Sequence, residues 1–369
     1  MKKVLFTATV DSHIKQFHIP YLKLFKEKGY EVHVATNGME EIKYCDKKNM
    51  VSFERNPIKL NNLKAIKQLK KIIEKEKFDI IHCHTPMGGV VTRIAAIKAR
   101  KKYGTRVIYT AHGFHFFKGA PILNWIIYYP IEKICSRWTD TLITINTEDY
   151  EIAKKKFKKC KDIRLVHGVG LDTSRFEREL TDKEKIEKRR ELGIKKDDIV
   201  FSYVAELNKN KNQILLINTI KELNKEIPNV KLLLVGKGAL YEEYQKIIKE
   251  DNIEENIQLL GRREDINEVL SITDIYLASS LREGLPVNIM EAMYKGVPVI
   301  ATDNRGHREL ISDRKCGFII NSEKEILIRI KEMINNSKLK NMIKKEEKYR
   351  VNKYLINNVM KEMKIIYGD

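Results

Sequence analysis

The chain has 369 residues, 43% hydrophobic and 33% charged, which is typical of a globular protein with two domains of ordinary size. No apolar run reaches the ~20 residues of a membrane-spanning helix, and the short stretch after Met1 lacks a signal-peptide cleavage site, so it predicts a buried strand. The formal charge of +20 favours a polyanion as partner, such as nucleic acid, an anionic membrane surface or phosphorylated small molecules, although lysine-rich solvated surfaces account for it equally well.

Short β-rich runs alternate with amphipathic segments through the first half of the chain, as in doubly wound α/β domains. We expect one helix from Phe17 to Lys28, ending at Gly29, and another through the apolar positions from Leu60 to Ile73. The strands that the pattern predicts are 3–9, 31–35, 79–84, 106–110 and 141–146.

The alternation lapses into a charged, helix-prone connector between about residues 168 and 193, and then it restarts. The second set of predicted strands is 199–205, 231–236, 257–261, 275–279 and 298–301. We therefore predict two Rossmann-like domains with a boundary near residues 171–192. Ligands of open α/β sheets lie at the carboxyl ends of the strands, so two such domains facing each other would form a cleft.

The five cysteines are scattered and never spaced as C-x-x-C. This spacing argues against a zinc site and against a disulfide framework, and it predicts a reducing, cytoplasmic compartment.

The segment from Arg282 to Met293 carries two carboxylates, Glu283 and Glu291, separated by seven residues. Pro286 suits the first position of a helix that we expect to end near Lys295, before Gly296. The N–H groups and positive dipole end of that helix would attract a diphosphate, and both carboxylates could accept hydrogen bonds from sugar hydroxyls. The segment therefore predicts a nucleotide-sugar site.

The run E-G-L-P-V-N-I-M-E-A-M-Y-K-G-V-P-V-I-A-T-D resembles the signature of retaining GT-B glycosyltransferases of family 4. The resemblance implies that Glu283 contacts the transferred sugar and Glu291 the ribose, with Gly284, Leu285 and Pro286 beside the donor. It also implies a GT-B fold of two Rossmann-like α/β domains: residues 1–171 for the acceptor, residues 172–340 for the nucleotide-sugar, and a C-terminal helix within 341–369 that crosses back to the first domain.

The segment A-E-L-N-K-N-K-N at residues 205–212 is similar to the family's Gly-Arg-Leu-x-x-x-Lys, whose basic residues clamp the diphosphate. Lys211 fits the Lys position, but Glu206 occupies the Arg position, so Lys209, Arg262 or Arg282 would have to compensate, or the donor is held differently. The segment is closer to the form found in capsule and exopolysaccharide transferases.

Two further second-domain segments resemble parts of the family's donor site. Gly236 ends a strand in a Gly-x-Gly turn that permits close backbone approach to a ligand, and Arg262 lies in a segment similar to the one near the nucleotide base.

Histidines end several strands of the first domain. His82 and His84 share one face of a strand, but no third ligand has suitable spacing, so we expect no metal. The segment T-A-H-G-F-H resembles the family's T-x-H-G loop, which implies that His112 contacts the sugar or the acceptor region; a structural histidine is the alternative. We place Phe114, His115 and His13 on the acceptor side, where His13 stands in a loop that lacks the family's Gly-Gly pair.

The resemblance implies retention of configuration, with His112, Glu283 and Lys211 as the catalytic residues and the leaving diphosphate helping to deprotonate the acceptor. The chain has no Asp-x-Asp, so we expect neither a metal on the diphosphate nor any other cofactor. The expected donor is a UDP-sugar, and the expected acceptor is a polyprenyl-diphosphate-linked glycan of capsule or exopolysaccharide synthesis.

Two segments could bind a membrane: residues 120–131, which are apolar and aromatic, and residues 154–161, which are rich in lysine. They fit either peripheral binding to the inner face of the plasma membrane or an ordinary core helix and an ordinary surface helix.

Two other function classes compete with this interpretation. A UDP-N-acetylglucosamine 2-epimerase on the same architecture would need catalytic acids in the first domain and would not require the Gly-Leu-Pro turn. A nucleic-acid-binding protein would explain the charge and predicts salt-dependent binding, but no nucleic-acid motif is present, so we expect no nucleic-acid partner.

Overall fold

The computed structural model describes residues 1–368, which form two compact units. The first unit contains residues 1–170 and the chain from Val359 onward, and the second contains Leu171–Asn358. The boundary between the units, after Gly170, coincides with the start of the predicted boundary range, residues 171–192.

The first unit has seven strands joined mainly by helices. In chain order its elements are β1 (Lys3–Thr7), α1 (Asp11–Phe17), α2 (Ile19–Glu27), β2 (Glu31–Thr36), β3 (Lys47–Met50), α3 (Asn61–Glu76), β4 (Ile80–His84), α4 (Pro86–Ala95), α5 (Ile97–Tyr103), β5 (Arg106–Ala111), α6 (Ile122–Cys135), β6 (Thr141–Thr144), α7 (Thr147–Lys156) and β7 (Asp162–Leu165).

These strands form one parallel sheet in the order β3-β2-β1-β4-β5-β6-β7. Alternate side chains of β1 enter the cores on opposite faces: Val4 and Phe6 pack on the side of α2, and Leu5 packs on the side of α3 and α4. The strand order reverses between β1 and β4, so the loops after these two strands diverge and leave a crevice at the carboxyl ends.

The second unit repeats this plan with six strands. Its elements are α8 (Asp182–Glu191), β8 (Ile199–Val204), α9 (Gln213–Leu223), β9 (Val230–Val235), α10 (Tyr241–Glu250), β10 (Ile257–Gly261), α11 (Ile266–Ser271), β11 (Ile275–Ala278), α12 (Val287–Tyr294), β12 (Val299–Thr302), α13 (Arg305–Leu310), β13 (Phe318–Ile320), α14 (Glu323–Asn335) and α15 (Ser337–Val351). The chain then enters α16 (Ile356–Tyr367), which begins in this unit and ends in the first.

The second sheet is parallel in the order β10-β9-β8-β11-β12-β13, and its reversal lies between β8 and β11. Its strands are buried on both faces by one continuous apolar core. Both units are thus Rossmann-like α/β folds, as the sequence predicts.

Three strands were absent from the prediction: β3, β7 and β13. Each stands at an edge of its sheet. The first has the sequence KKNM with no buried residue, the second is DIRL, and the third has only three residues. Edge strands are commonly short or charged, so they lack the apolar signal of central strands.

The predicted C-terminal helix over 341–369 is divided between the two units. Helix α15 packs against α12 in the second unit, where the buried Glu347 accepts the backbone N–H of Val299 through Oε1 at 2.9 Å. Only the chain from Val359 onward packs in the first unit, with Val359, Met363 and Ile366 in its core. The boundary at 341 was therefore too early.

Two predicted helix boundaries also differ. The helix expected over 17–28 is α2, which begins two residues later, and α1, which precedes it and ends at Phe17, was not predicted. Pro286 is extended (φ −78°, ψ 115°) and precedes α12 as its N-cap, so it is not the first helical residue. Within residues 1–368 no helix is both long and apolar enough to cross a membrane.

Candidate functional site

Two loops of the second unit meet where its strand order reverses. One follows β8 and contains residues 205–212, and the other follows β11 and contains residues 279–286. The Ser279 hydroxyl donates to the carbonyl of Lys211 at 2.8 Å, and the Leu281 N–H donates to the carbonyl of Asn210 at 2.8 Å. The Asn210 amide donates to the carbonyl of Arg282 at 3.0 Å. These bonds hold the two loops in one register.

The central contact between the loops is an ion pair. Lys211 Nζ lies 2.5 Å from Glu283 Oε1, and both side chains are largely buried, with 21% and 15% exposed. Lys211 is positioned by Asn208, whose side-chain oxygen accepts the Lys211 backbone N–H at 3.0 Å. The structure therefore brings together two residues that the sequence assigned to the reaction from motifs 72 positions apart.

Helix α13 packs directly on Glu283. A Cβ atom at Gly306 would lie 2.7 Å from Glu283 Cβ, so glycine is required for this approach. The next residue, His307, is fully buried. Its Nδ1 lies 2.7 Å from the carbonyl of Thr302, while its Nε2 has no hydrogen-bond partner. Burial lowers the pKa of His307 to about 4, so the ring is neutral at neutral pH.

His307 was missed because a lone histidine 24 residues beyond Glu283 carries no motif. The only local sequence signal was Asn304, a residue type typical of a helix N-cap, whose side-chain oxygen accepts the His307 N–H at the start of α13.

Glu291 lies inside α12 and is buried, with 6% of its side chain exposed. Burial raises the pKa of this carboxyl, while the charge and hydrogen bond of Arg175 oppose the rise. Arg175 pairs with Glu291 Oε1 but is itself 56% exposed, so its guanidinium can move away into solvent. Sequence analysis missed Arg175, which lies in the irregular connector far from every recognised motif.

The motif residues next to α12 lie where the sequence places them. Gly284 and Leu285 are half-buried, Pro286 is buried, and together they lead from Glu283 into the first turn of α12. The Asn288 side chain of that turn donates to the carbonyl of Val204 at 2.8 Å, which fixes the helix N-terminus over the end of β8. Helix α12 therefore directs its first N–H groups toward the loop that carries Lys211.

Other predicted donor residues have different surroundings. A Cβ at Gly236 would lie 2.0 Å from the carbonyl oxygen of Ala205, so glycine is required here for the close approach of the loop after β8. Arg262 follows edge strand β10, is exposed and pairs with Glu264 at 3.1 Å. Arg282 and Glu206 are exposed. Within residues 1–368, no contact places Arg262 or Arg282 beside Lys211, where either could replace the basic residue that the family motif has at position 206.

Histidines converge in the first unit, at the carboxyl ends of β1, β4 and β5. His13 Nε2 lies 3.3 Å from His112 Nε2, which lies 3.4 Å from His84 Nδ1. The ring of His18 stacks on that of His84 with centroids 3.7 Å apart. Sequence spacing offered no third partner for His84; the fold supplies three because the loops after adjacent strands share one crevice.

His82 is separate from this group although it shares a strand with His84. Its Nδ1 pairs with the Tyr367 hydroxyl and its Nε2 with the Thr110 hydroxyl, both at 2.8 Å. Phe114 and His115, the two predicted acceptor residues after His112, both pack against other aromatic side chains of the first unit. Phe114 is 3% exposed and stacks on Phe116, which makes it a core residue, and the His115 ring stacks on Tyr128 at 4.5 Å.

The arrangement in the second unit combines an ammonium, a carboxylate and a helix N-terminus within one set of loops. The ammonium and the helix suit an anion, and the carboxylates suit hydroxyl groups. This is a site chemistry for a sugar that carries a diphosphate.

Comparison with known proteins agrees with this chemistry. Residues 184–350 match the family described as "Glycosyl transferases group 1", and residues 3–146 match "Glycosyl transferase 4-like". Over 319 residues the chain is 47% identical to "Putative glycosyltransferase EpsD" of Bacillus subtilis, covering 86% of this chain and 83% of that protein.

A second relative is the "UDP-Gal:alpha-D-GlcNAc-diphosphoundecaprenol alpha-1,3-galactosyltransferase" of Escherichia coli, 29% identical over 85% of this chain and 81% of its own length. Among solved structures, Anabaena HepE in complex with UDP has a TM-score of 0.79 at 19% identity, covering 100% of this chain and 99% of that one. The chain therefore belongs to the family 4 glycosyltransferases of the GT-B fold.

Proposed function

We propose that the protein transfers a sugar from a UDP-sugar, with retention of configuration, to a polyprenyl-diphosphate-linked glycan. The observation that carries the proposal is the Lys211–Glu283 ion pair beside the N-terminus of α12. The E. coli relative is described as using UDP-Gal and an undecaprenol-linked GlcNAc, which supports the same two substrate classes here. Such acceptors suit the assembly of cell-surface polysaccharides, and we place the protein in capsule or exopolysaccharide synthesis.

The roles follow from charge. As the bond to the sugar breaks, negative charge accumulates on the leaving diphosphate, and the Lys211 ammonium with the N–H groups of α12 would stabilise it. A divalent metal on the diphosphate is then unnecessary. Glu291 would accept a hydrogen bond from the ribose once Arg175 swings away, and Glu283 would accept hydrogen bonds from hydroxyls of the sugar.

Retention is proposed without a covalent intermediate. The ion pair with Lys211 makes the Glu283 carboxylate a weaker nucleophile, while the lone pairs that the pair does not use can still accept hydrogen bonds from sugar hydroxyls. The departing phosphate oxygen would then take the proton of the attacking acceptor hydroxyl on the same face of the sugar. His307 Nε2, buried and without a partner, is an additional acceptor beside Glu283. We assign His13 and His112 of the first unit to the acceptor.

Turnover of defined substrates tests the proposal. The protein is incubated with UDP-glucose, UDP-galactose or their N-acetyl forms and synthetic undecaprenyl-diphosphate-GlcNAc, without added Mg²⁺ or Mn²⁺. We expect mass spectrometry to detect addition of one sugar and proton NMR to show an α-linkage. A β-linkage would overturn retention, and a 2-epimerised UDP-sugar without acceptor product would identify the epimerase instead.

We also propose that the first unit rests on an anionic membrane. Ile122, Leu123 and Ile126 are 78%, 59% and 64% exposed on the N-terminal half of α6. The lysines near the end of α7 are exposed too, namely Lys154, Lys155, Lys156, Lys158 and Lys159. Apolar residues that can enter a bilayer and lysines that attract anionic lipids are the two signals that peripheral binding needs.

Vesicle flotation tests the membrane proposal. We expect binding to phosphatidylglycerol vesicles that weakens with salt and is lost when Ile122, Leu123 and Ile126 are all replaced by Ser. Replacement of two other exposed isoleucines, Ile186 and Ile328, is the control and should leave binding unchanged. Equal binding by both variants would contradict the proposal.

A further inference from the structure

Four histidines of the first unit form a compact cluster of ring nitrogens. One nitrogen from each of His13, His18, His84 and His112 lies within 4.8 Å of those of the other three. His84 and His18 are buried, whereas His13 and His112 are partly exposed and open the cluster to solvent. His13 lies in α1 and His18 between α1 and α2, whereas His84 ends β4 and His112 directly follows β5.

Hydrogen bonding within the cluster leaves several nitrogens unsatisfied. Both nitrogens of His18 are buried without a partner, and so is Nε2 of His84. A neutral imidazole has one donor and one acceptor nitrogen, and a buried polar group without a partner is destabilising. His82 shows the contrast, because a hydroxyl satisfies each of its nitrogens on the same strand. The cluster therefore presents lone pairs that the protein itself does not use.

We propose that His13, His18, His84 and His112 bind one divalent transition-metal ion of the zinc class. Nitrogens at about 2.0–2.1 Å from a tetrahedral zinc ion lie about 3.3–3.4 Å from one another. Two of the six separations match this value, 3.3 Å for His13–His112 and 3.4 Å for His112–His84, and all four ligand nitrogens lie within 4.8 Å of one another.

Four protein ligands leave no open position, so the site is structural and supplies no metal-bound water. The ion would join α1 and the residue between α1 and α2 to the end of β4 and to the loop after β5. Each ring would bind the ion through the lone pair of one nitrogen and would keep an N–H on the other. These N–H groups belong to partly exposed side chains at His13 and His112 and to buried side chains at His18 and His84. The site shares His13 and His112 with the residues that we assign to the acceptor, but it does not involve the donor site in the second unit.

Titration of untagged, chelator-treated protein with Co²⁺ tests the site, because tetrahedral Co²⁺ has visible absorption bands that octahedral Co²⁺ lacks. We expect one ion per chain, displacement of the bands by Zn²⁺, and a Zn²⁺-dependent rise in Tm. His18→Phe, which retains the stacked ring, should abolish the tetrahedral bands and weaken Zn²⁺ binding at least tenfold. His13→Gln, at a partly exposed position, should do the same if His18→Phe does not fold.

The matched control is His167→Gln, which changes a histidine of the same unit outside the cluster and should bind Co²⁺ as the unchanged protein does. Absence of tetrahedral bands in the unchanged protein would overturn the proposal, and so would unchanged binding in folded His18→Phe or His13→Gln. Because the readouts are absorption, stoichiometry and Tm, they do not depend on whether the protein transfers a sugar.

Discussion

At the scale of single residues, the candidate donor site depends on charges that meet across two loops. Lys211 and Glu283 could be found from sequence because each follows a strand within a recognisable motif, and parallel strands bring their carboxyl ends together. Arg175 and His307 could not, since each lies in a segment without a motif and acquires its surroundings only from the folded chain. Glycine at 306 is explained only by its distance to Glu283.

Lys211→Met should lower kcat by roughly 100- to 1000-fold with little change in KM, because the ammonium is proposed to act on charge that develops in the transition state. Steady-state kinetics with a UDP-sugar measures this effect. The control is Lys209→Met, since Lys209 is an exposed lysine of the same loop and should retain the kcat of the unchanged protein. A kcat for Lys211→Met within about threefold of that value would contradict the assignment.

The pH dependence of stability offers a second test at this scale. Burial raises the pKa of Glu291 in the folded protein, so its favourable contribution is present at low pH and is lost as the pH rises through that raised pKa. The side chain in Glu291→Gln does not ionise. From pH 5 to pH 8 the unfolding free energy of this variant should therefore rise relative to that of the unchanged protein. Urea unfolding without nucleotide measures it, and a difference that shrinks with pH would contradict the burial argument.

At the scale of elements, central strands and amphipathic helices follow from apolar periodicity, whereas edge strands do not. A central strand is buried on both faces and needs a mainly apolar run, such as IYLA in β11 and the LLLV end of β9. Strands β3, β7 and β13 have one neighbour each. The first two are polar and little buried, so their sequences resemble loops, whereas β13 is apolar and buried but has only three residues. The register that aligns the catalytic loops depends on β8 and β11, both of which were predictable.

Helix α6 is attached to the first unit by a buried ion pair to α4. Arg93 Nη2 lies 2.9 Å from Glu132 Oε2, and the Tyr109 hydroxyl lies 3.2 Å from Glu132 Oε1. Arg93→Met should destabilise the protein by about 3–5 kcal/mol in urea unfolding, because it leaves a buried carboxylate without its cation. The double replacement Arg93→Met with Glu132→Leu should recover most of this loss. A single-variant effect below about 1 kcal/mol would show that the pair is unimportant.

At the scale of the whole molecule, the two Rossmann-like units and their order were predictable from the restarted strand pattern, and the family from one motif. The division of the C-terminal region between the units was not, because the amphipathic patterns of α15 and α16 do not reveal which core each helix covers. The histidine cluster was hidden for the same reason: its members span residues 13 to 112 and meet only through strand order.

The return of the chain to the first unit can be probed at its end. Tyr367 and His82 are 285 residues apart and share a buried hydrogen bond of 2.8 Å. Tyr367→Phe should lower the free energy of unfolding by about 1–3 kcal/mol, because it leaves His82 Nδ1 buried without its partner. Ile365→Ala, at a position 69% exposed on the same helix, should change it by less than about 0.5 kcal/mol. Equal effects of the two changes would contradict the role of this bond.

Calorimetric titration of the purified protein with UDP and with GDP, repeated with Glu291→Gln, tests the donor site most directly. The account predicts that UDP binds and GDP binds more weakly. It predicts that Glu291→Gln weakens UDP binding by roughly 10- to 100-fold, the loss expected for a hydrogen bond from the ribose to a charged acceptor, about 1.5–3 kcal/mol. Absence of UDP binding, or equal affinity for UDP in the unchanged protein and the folded variant, would contradict it.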